Sequence, residues 1–420
     1  MRIALVSEHA NPLASLGGAD AGGQNVHVAA LAAGLAARGH RVTVHTRRDD
    51  PDQPERVVTD EGYAVEHVAA GPPQPIAKDD LLPHMPELGV RLRERWRREP
   101  VDVVHAHFWM SGLAALYATR GTSVPVVQTF HALGTVKQRH QGAADTSPPQ
   151  RLAIERRLCR DVDAVIATCC DEVAELTALG LPRERAAVIP CGVDTDVFAP
   201  VGEVGTVLQP RRARARILSL GRLVPRKGVD TLVEALALLR AQEATGAVPE
   251  TELVVAGGPP SPRLRVDPEV RRLQRLAEER GVADRVTWLG GVERDQVPAL
   301  IRESDLVATV PWYEPFGIVP LEAMACGRPV VGSAVGGLLD TVVPGETGEL
   351  VPPRDPEALA EALAGLLADP DRRATYGLAG RRRAVERYDW SQVVAETERV
   401  LTRVAGHEQV GLAAGAEVLS

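Results

Sequence analysis

Residues 311–330 are Pro311-Trp-Tyr-Glu-Pro-Phe-Gly-Ile-Val-Pro-Leu-Glu-Ala-Met-Ala-Cys-Gly-Arg-Pro-Val330, and this stretch predicts a turn followed by a helix. Glu314 cannot lie in a helix interior, because Pro315 disfavours helical backbone angles for the residue before it. Pro320 suits the first turn of a helix, where its missing N–H costs little. The first free amides of this helix form an anion-binding site. They belong to Phe316, Gly317, Ile318 and Val319.

Two carboxylates flank this anion site. Glu314 precedes the turn, and Glu322 lies in the helix that follows. A carboxylate cannot bind the anion itself, but it accepts hydrogen bonds from the hydroxyls of a sugar or a ribose. Either glutamate alone is typical of a solvated surface, whereas the pair with its Pro-Phe-Gly insert predicts a nucleotide-sugar pocket.

Short apolar segments alternate with segments of helical periodicity along the chain, which predicts an α/β fold of parallel sheets covered by helices. A polar segment at 201–216 divides two such alternations. We expect two Rossmann-like, doubly wound domains, over 1–200 and 201–385, with a cleft at the carboxyl ends of their strands. A helix at 386–405 should pack back on the first domain, and 406–420 should form a frayed tail. The predicted strands lie at 2–7, 41–46, 102–105, 126–129, 164–167, 217–220, 253–256, 286–289, 306–310 and 330–332.

The composition limits the function. The chain has 420 residues, enough for two domains, and its net charge of −8 argues against general nucleic-acid binding. Its five cysteines show no metal-binding spacing and are typical of a cytosolic protein. The N-terminus begins directly with a strand-like segment, without a signal-peptide pattern, and apolar runs stay below the roughly 18 residues of a membrane span. We therefore expect a cytoplasmic protein.

A cationic turn, Gly221-Arg-Leu-Val-Pro-Arg-Lys-Gly228, follows the first strand of the second domain. Arg222 and Lys227 project from this turn between a strand and a helix, and the helix start also favours anions. Two fixed cations here suit a diphosphate and neutralise it as a leaving group. A solvated basic turn is the alternative, and the Glu314 segment downstream favours the binding site.

A glycine-rich loop, Gly17-Gly-Ala-Asp-Ala-Gly-Gly-Gln-Asn25, opens the first long helix. It is not a P-loop, because Gln24 and Asn25 stand where Lys and Ser/Thr are required. It is not a dinucleotide fingerprint either, because no G-x-G-x-x-G spacing directly follows the first strand. Its backbone amides still lie at a helix N-terminus facing the cleft, and a surface turn is the alternative.

His131 is the strongest functional candidate among the histidines. It follows a predicted strand and has Thr129, Thr135 and Lys137 as polar neighbours. The pattern His105-Ala-His107, also at a strand end, is more typical of structural histidines.

Two other patterns are weaker evidence for a functional site. Asp194-Thr-Asp196 resembles a metal-binding D-x-D motif, but its place beside Phe198 at the exit of the first domain disfavours a metal site. The basic helix at Leu92–Arg98 contains one tryptophan, and a solvated face with a packed Trp96 is favoured over contact with anionic lipid.

Four segments together resemble glycosyltransferase family 4: Glu314–Glu322, Gly221–Gly228, Gly22-Gly-Gln-Asn25 and Val188-Ile-Pro-Cys-Gly-Val-Asp194. The similarity extends to about Leu401. It is greatest to the branch containing sucrose and sucrose-phosphate synthases and the inositol-phosphate N-acetylglucosaminyltransferase of the mycothiol pathway. The resemblance implies a GT-B fold, an acceptor-binding first domain, a nucleotide-sugar-binding second domain, and retaining transfer without a metal.

The resemblance also implies how the donor is bound. Gly22 and Gly23 would supply amides near the donor phosphates, and Arg222 and Lys227 would hold the diphosphate. The amides of residues 316–319 would complete the donor site.

The same resemblance implies which residues contact the sugar and the ribose of the donor. His131 would lie beside the donor sugar, Glu314 would bind the sugar hydroxyls, and Glu322 would bind the ribose. The implied catalytic residues are His131, Arg222, Lys227 and Glu314.

In the inositol-phosphate branch, an Asn, a Lys and an Arg hold the acceptor phosphate. Asn25, Lys78 and Arg151 match these positions, with ordinary surface cations as the alternative for Lys78 and Arg151. Phe108 and Ala132 depart from that branch, which has Tyr and Thr there, so the acceptor is allowed to differ from inositol phosphate.

These observations predict a cytosolic, retaining hexosyltransferase that uses a nucleotide diphosphate sugar and a small polar acceptor, with no cofactor and no metal. The protein partner that we consider is a second copy of the chain, which would form a homodimer. The alternatives are a membrane-associated lipid glycosyltransferase, a sugar-nucleotide epimerase on the same fold, and a non-catalytic nucleotide-binding module.

Overall fold

A computed structural model describes residues 1–14, 23–202, 208 and 210–406, and within them it forms two parallel sheets covered by helices. The strands are β1 (Arg2–Val6), β2 (Arg41–Arg47), β3 (Arg56–Val58), β4 (Ala64–Val68), β5 (Val103–His107), β6 (Val126–Thr129), β7 (Ala164–Ala167), β8 (Ala186–Val188), β9 (Ala215–Leu220), β10 (Thr251–Ala256), β11 (Val286–Gly290), β12 (Leu306–Thr309), β13 (Val330–Ser333) and β14 (Gly348–Val351). The helices are α1 (Gly23–Ala37), α2 (Met85–Arg98), α3 (Trp109–Thr119), α4 (Gly134–Gln141), α5 (Arg151–Asp161), α6 (Cys170–Ala178), α7 (Val229–Glu243), α8 (Pro268–Glu279), α9 (Val297–Arg302), α10 (Ile318–Ala325), α11 (Leu338–Thr341), α12 (Pro356–Ala368), α13 (Pro370–Arg383) and α14 (Trp390–Val404).

The strand order places the 221–228 turn where ligands bind in such sheets. The first sheet runs β3-β4-β2-β1-β5-β6-β7-β8, with only β3 antiparallel to its neighbour. The second runs β11-β10-β9-β12-β13-β14. In the first sheet, β2 to β4 lie on one side of β1 and β5 to β8 lie on the other. In the second sheet, β10 and β11 lie on one side of β9 and β12 to β14 lie on the other. A crevice opens at the carboxyl end of such a strand, and the 221–228 turn follows β9 directly.

The α/β prediction is confirmed, and every predicted strand is present within about two residues. Four strands were not predicted: β3, β4, β8 and β14. The strand β4 contains Glu66, a residue type that strands rarely bury. The structure offsets its burial with His45 and Arg95, at 3.3 and 3.0 Å from the Glu66 carboxylate. That compensation comes from distant parts of the chain, so the local sequence gave no signal of it.

Each sheet has an apolar core on both faces. Helix α1 carries an apolar stripe of helical spacing that is fully buried on one face of the first sheet, and its members are Val28, Leu31, Ala32 and Leu35. Helix α14 joins the same core through Val394 and Leu401. A Cβ atom on Gly34 would lie 2.4 Å from Val394 Cγ2, so glycine allows α1 and α14 to approach closely. The C-terminal helix thus returns to the first sheet.

The turn before α10 has the geometry that its sequence predicts. Helix α10 begins at Ile318, its preceding residue Gly317 has a φ of 87°, and Pro320 lies in its first turn. The positive φ favours glycine, because a Cβ atom would clash with the backbone there. The 3₁₀ turn Pro225–Lys227 leads into α7 through Gly228, whose φ is 70°. Both turns face the first domain.

Candidate functional site

A cavity of about 440 Å³ lies between the two domains, and we call it the first cavity. It gathers residues from the carboxyl ends of both sheets, as expected for two doubly wound units. The sequence-predicted site residues that line it are Gly23, Asn25, Lys78, His131, Arg222, Lys227, Glu314, Phe316, Gly317, Ile318, Val319 and Glu322. Gly22 lies outside the described residues. Arg151 is not part of the wall.

Glu314 is the centre of a small cluster of charges. Its carboxylate pairs with Lys227 Nζ and lies 4.0 Å from Arg226 Nη1. Burial opposes ionisation of this group, but Lys227 and Arg226 outweigh burial and hold the pKa of Glu314 below its ordinary value. The carboxylate is therefore ionised near pH 7 and accepts hydrogen bonds, which is the state needed to bind sugar hydroxyls.

Glu322 is 2% exposed inside α10 and pairs with Arg294. Burial raises its pKa, and Arg294 only partly offsets this effect. The Arg294 guanidinium also lies 4.7 Å from the ring centroid of Phe198. The sequence analysis did not identify Arg294 as part of the site, because it follows β11 in a polar turn without a distinguishing pattern.

The start of α10 faces the first cavity with the unpaired amides of a helix N-terminus. Glu314 O accepts a hydrogen bond from Gly337 N at 3.1 Å, so the loop after β13 supports the turn before the helix. A Cβ atom on Gly336 would lie 2.0 Å from Glu314 O, and only glycine fits there. The loop after β13 therefore supports this turn, and a helix start that lines a cavity is suited to a phosphate group.

His131 joins three buried histidines, His27, His105 and His107, in a cluster that the sequence did not predict. Its Nε2 lies 3.0 Å from His107 Nδ1, and the ring centroid of His27 lies 5.2 Å from its own. Burial, together with His27, His105 and His9, holds the pKa of His131 well below its ordinary value. His131 is thus neutral near pH 7. Its φ of 60° is unusual for a residue other than glycine, and such strain is often found at functional sites.

Three residues were predicted to bind the acceptor. Asn25 and Lys78 line the first cavity, whereas Arg151 does not. Asn25 is buried, and its Nδ2 donates to Asn11 O at 2.9 Å. Lys78 lines the cavity, with Nζ 5.6 Å from the ring centroid of Phe108. The Arg151 guanidinium lies 5.3 Å from the same ring. Phe108 therefore contacts both predicted acceptor cations.

Arg151 itself is 3% exposed and makes several contacts within the first domain. Its Nε donates to Glu155 Oε1 at 2.8 Å, and its Nη2 donates to Ala132 O at 2.7 Å. Glu155 in turn accepts a hydrogen bond from Gly134 N at 3.0 Å. This pair holds the loop that leads from His131 into α4.

The Asp194-Thr-Asp196 pattern serves a turn. Asp194 Oδ1 accepts the backbone N–H groups of Asp196 and Val197, each at 3.0 Å. Thr195 donates its hydroxyl to Asp389 at 2.6 Å. Within the described ranges, no three His, Cys, Asp or Glu side chains are arranged to hold a metal ion.

One arginine in the basic part of α2 is paired within the protein, and the tryptophan beside it is packed. Arg95 contacts Glu55 and Glu66 at 2.7 and 3.0 Å. Trp96 is buried and donates to His45 Nε2 at 3.2 Å, which confirms the packed tryptophan. Among the helices of the described residues, none has both the length and the apolar character to cross a bilayer.

The chain is similar to known proteins over almost its whole length. Residues 21–197 match the model of Glycosyltransferase Family 4, and residues 207–383 match that of Glycosyl transferases group 1. A D-inositol 3-phosphate glycosyltransferase from Xylanimonas cellulosilytica is 39% identical and aligns over 94% of each chain. One from Jonesia denitrificans is 36% identical over 98% of each chain.

A solved structure gives the same result. The sucrose-phosphate synthase from Thermosynechococcus elongatus superposes with a TM-score of 0.86 at 32% identity, and it covers 97% of this chain and 100% of its own. The predicted GT-B fold is thereby confirmed. Sequence and structure agree over nearly the full length, and this chain belongs to glycosyltransferase family 4.

Proposed function

We propose that the enzyme transfers a hexosyl unit, of the glucose or N-acetylglucosamine type, from a nucleotide diphosphate sugar to a small polar acceptor. The acceptor we infer is a cyclitol or sugar, in phosphorylated or free form. The carrying observation is that one cavity unites Arg222, Lys227 and the α10 amides with the Glu314 carboxylate and His131. Cations and amides suit the diphosphate, and the carboxylate and imidazole suit the hydroxyls of a sugar.

The leaving group is the nucleoside diphosphate. Arg222, Lys227 and the free amides at the start of α10 would bind its negative charge, which grows as the bond to the sugar breaks. Because two cations and a helix N-terminus would stabilise this negative charge, we propose that the reaction needs no metal ion and no cofactor. Glu322 and Arg294 also line the cavity, and their pair supports a ribose site there.

We propose transfer with retention of the anomeric configuration. The bond between the anomeric carbon and the phosphate oxygen breaks, and the acceptor oxygen bonds to the same carbon on the same face. The acceptor proton passes to an oxygen of the leaving diphosphate. Neutral His131 would orient the sugar by hydrogen bonding, since its low pKa makes an imidazolium unfavourable near pH 7.

The acceptor side is supported by Lys78 and by the names of the relatives. Two relatives act on D-inositol 3-phosphate by name, and the sucrose-phosphate synthase is named for a sugar phosphate product. Lys78 on the cavity wall would contribute a point charge to an acceptor phosphate. The test is a screen of the purified protein against nucleotide sugars, UDP-sugars first, with a panel of cyclitols, sugars and their phosphates. Acceptor-dependent release of nucleoside diphosphate is expected.

Two outcomes would contradict this function. A sugar-nucleotide product that forms without any acceptor would indicate an epimerase. Transfer restricted to lipid acceptors, with co-sedimentation of the protein on anionic liposomes, would indicate a membrane-associated enzyme. We propose a cytoplasmic location without membrane contact, because the α2 arginine Arg95 is paired with glutamates and Trp96 is buried.

A further inference from the structure

A second cavity of about 230 Å³ lies beside the first cavity. The two share the wall residues Ala132, Glu314 and Pro315. Most of the remaining wall of the second cavity comes from α4, the first turns of α6 and the loop after β13, and Tyr313 and Leu339 complete it. A volume below the roughly 300–1,000 Å³ of a drug-sized site suits a single sugar-like ring.

Glu172, in the first turn of α6, gives this cavity a buried acceptor atom. The residue is 6% exposed and lines the second cavity. One carboxylate oxygen, Oε2, accepts the backbone N–H of Thr168 at 2.6 Å and its hydroxyl at 2.8 Å. The other oxygen, Oε1, is buried without a hydrogen-bond partner in the part of the chain that the structure describes. A buried oxygen left unpaired is costly, so Oε1 is suited to a ligand that donates a hydrogen bond.

The charges around this oxygen exclude an anionic ligand. Asp171 and Glu175 also line the second cavity, and among its described lining residues Arg139 is the one guanidinium or ammonium group. Arg139 is already paired with Glu175 at 2.7 Å. Burial lowers the pKa of His140, which stacks on Tyr313 with ring centroids 4.8 Å apart, so this imidazole is neutral near pH 7. Burial raises the pKa of both Asp171 and Glu172, so a bound cation would favour their ionised forms, whereas a bound anion would not.

We propose that the second cavity binds a ring that carries an ammonium group and hydroxyls, such as an amino sugar or an aminocyclitol. The ammonium group donates to Glu172 Oε1 and lies near the Asp171 carboxylate, while the hydroxyls face the polar remainder of the wall. A phosphate is rejected there by the same two carboxylates. The shared wall at Glu314 would place this ring next to the donor sugar, and only that last step rests on the proposed function.

The experiment measures binding of glucosamine by ligand-observed NMR and calorimetry, with glucose as the matched uncharged ring. Glucosamine is expected to bind about tenfold tighter or more, the effect of one charged hydrogen bond. Glu172→Gln removes the charge but keeps an oxygen for the Thr168 donors, and it should weaken glucosamine binding about tenfold. Ala334→Trp, at an exposed position on the cavity wall, should block the cavity without removing a buried group.

The control variant is Glu184→Gln, which makes the same charge change at an exposed position outside both cavities. It should bind glucosamine as the unmodified protein does. Saturating UDP, directed at the first cavity, should leave glucosamine binding unchanged. The proposal is overturned if glucosamine does not bind, if both wall variants bind it normally, or if UDP abolishes the binding. UDP that fails to bind would count against the proposed function alone. Should Glu172→Gln not fold, Ala334→Trp decides.

Discussion

Lys227 and Glu314 form an ion pair in the first cavity, although Lys227 follows β9 and Glu314 precedes α10. Arg226, beside Lys227, lies 4.0 Å from the same carboxylate. The pair joins the cation predicted to hold the diphosphate to the carboxylate predicted to bind the sugar. One substitution therefore changes both halves of the donor site.

We expect Lys227→Ala to lower the transfer rate by about 100-fold or more and to weaken donor binding as well. The lysine contributes where negative charge develops on the leaving group, and loss of one such group typically costs about 10²–10³ in turnover. Steady-state kinetics with varied donor would measure both effects. Arg265→Ala, at an exposed position outside the cavity, is the control and should behave normally. Near-normal turnover of Lys227→Ala at saturating donor would exclude this role.

The pH dependence should change in the same variant. In the intact site, Lys227 and Arg226 outweigh burial and lower the pKa of Glu314, so the carboxylate stays ionised below the range, about 4.3, where a free glutamate titrates. The contribution of ionised Glu314 is present above that range and is lost only as the pH falls through the lowered pKa. Without Lys227, burial raises the pKa, and the acid limb of the kcat/KM profile should move to higher pH. An unshifted limb would show that another group controls it.

The proposed metal independence gives a direct test. Activity should be unchanged after treatment with EDTA, because Arg222, Lys227 and the α10 amides supply the charge that a metal ion would otherwise supply. Assays before and after chelation, with Mg²⁺ and Mn²⁺ added back, would measure this. Complete loss of activity, restored by either ion, would contradict the proposal and would direct attention to Asp194 and Asp196.

Stereochemistry provides an independent prediction. We expect NMR of the first-formed product to show the anomeric configuration of the donor, since the acceptor attacks on the face from which the diphosphate leaves. Spectra must be recorded before mutarotation or secondary hydrolysis. An inverted product would refute the proposed mechanism while leaving the fold and family membership unaffected.

The features that local sequence determines were predictable. Pro315, Gly317 and Pro320 restrict backbone angles, so they locate the start of α10 without any tertiary information. The apolar periodicity of α1 and of the central strands likewise reports which faces are buried.

The contacts that the sequence did not reveal are those between distant segments. Arg294 pairs with Glu322, and Arg151 donates to Ala132 O, only because packing brings the groups together and buries them. The four-histidine cluster around His131 joins three separate elements, which no spacing rule encodes. These long-range contacts determine which side chains of the site are charged and how they are oriented. The sequence alone does not reveal such contacts.

The acceptor site gives the last prediction. Lys78→Ala should raise the acceptor KM about tenfold or more and leave donor KM and melting temperature unchanged, because Lys78 lines the cavity from a short 3₁₀ turn. Arg151→Ala should differ. Its partner Glu155 would be left buried without an opposite charge, which costs about 3–5 kcal/mol in comparable sites, so a lower melting temperature is expected together with any rise in acceptor KM. Arg160→Ala, exposed in the same helix, is the control. If neither Lys78→Ala nor Arg151→Ala changes the acceptor KM while donor kinetics stay normal, the acceptor is bound by other residues, and Phe108 on the cavity wall becomes the first to test.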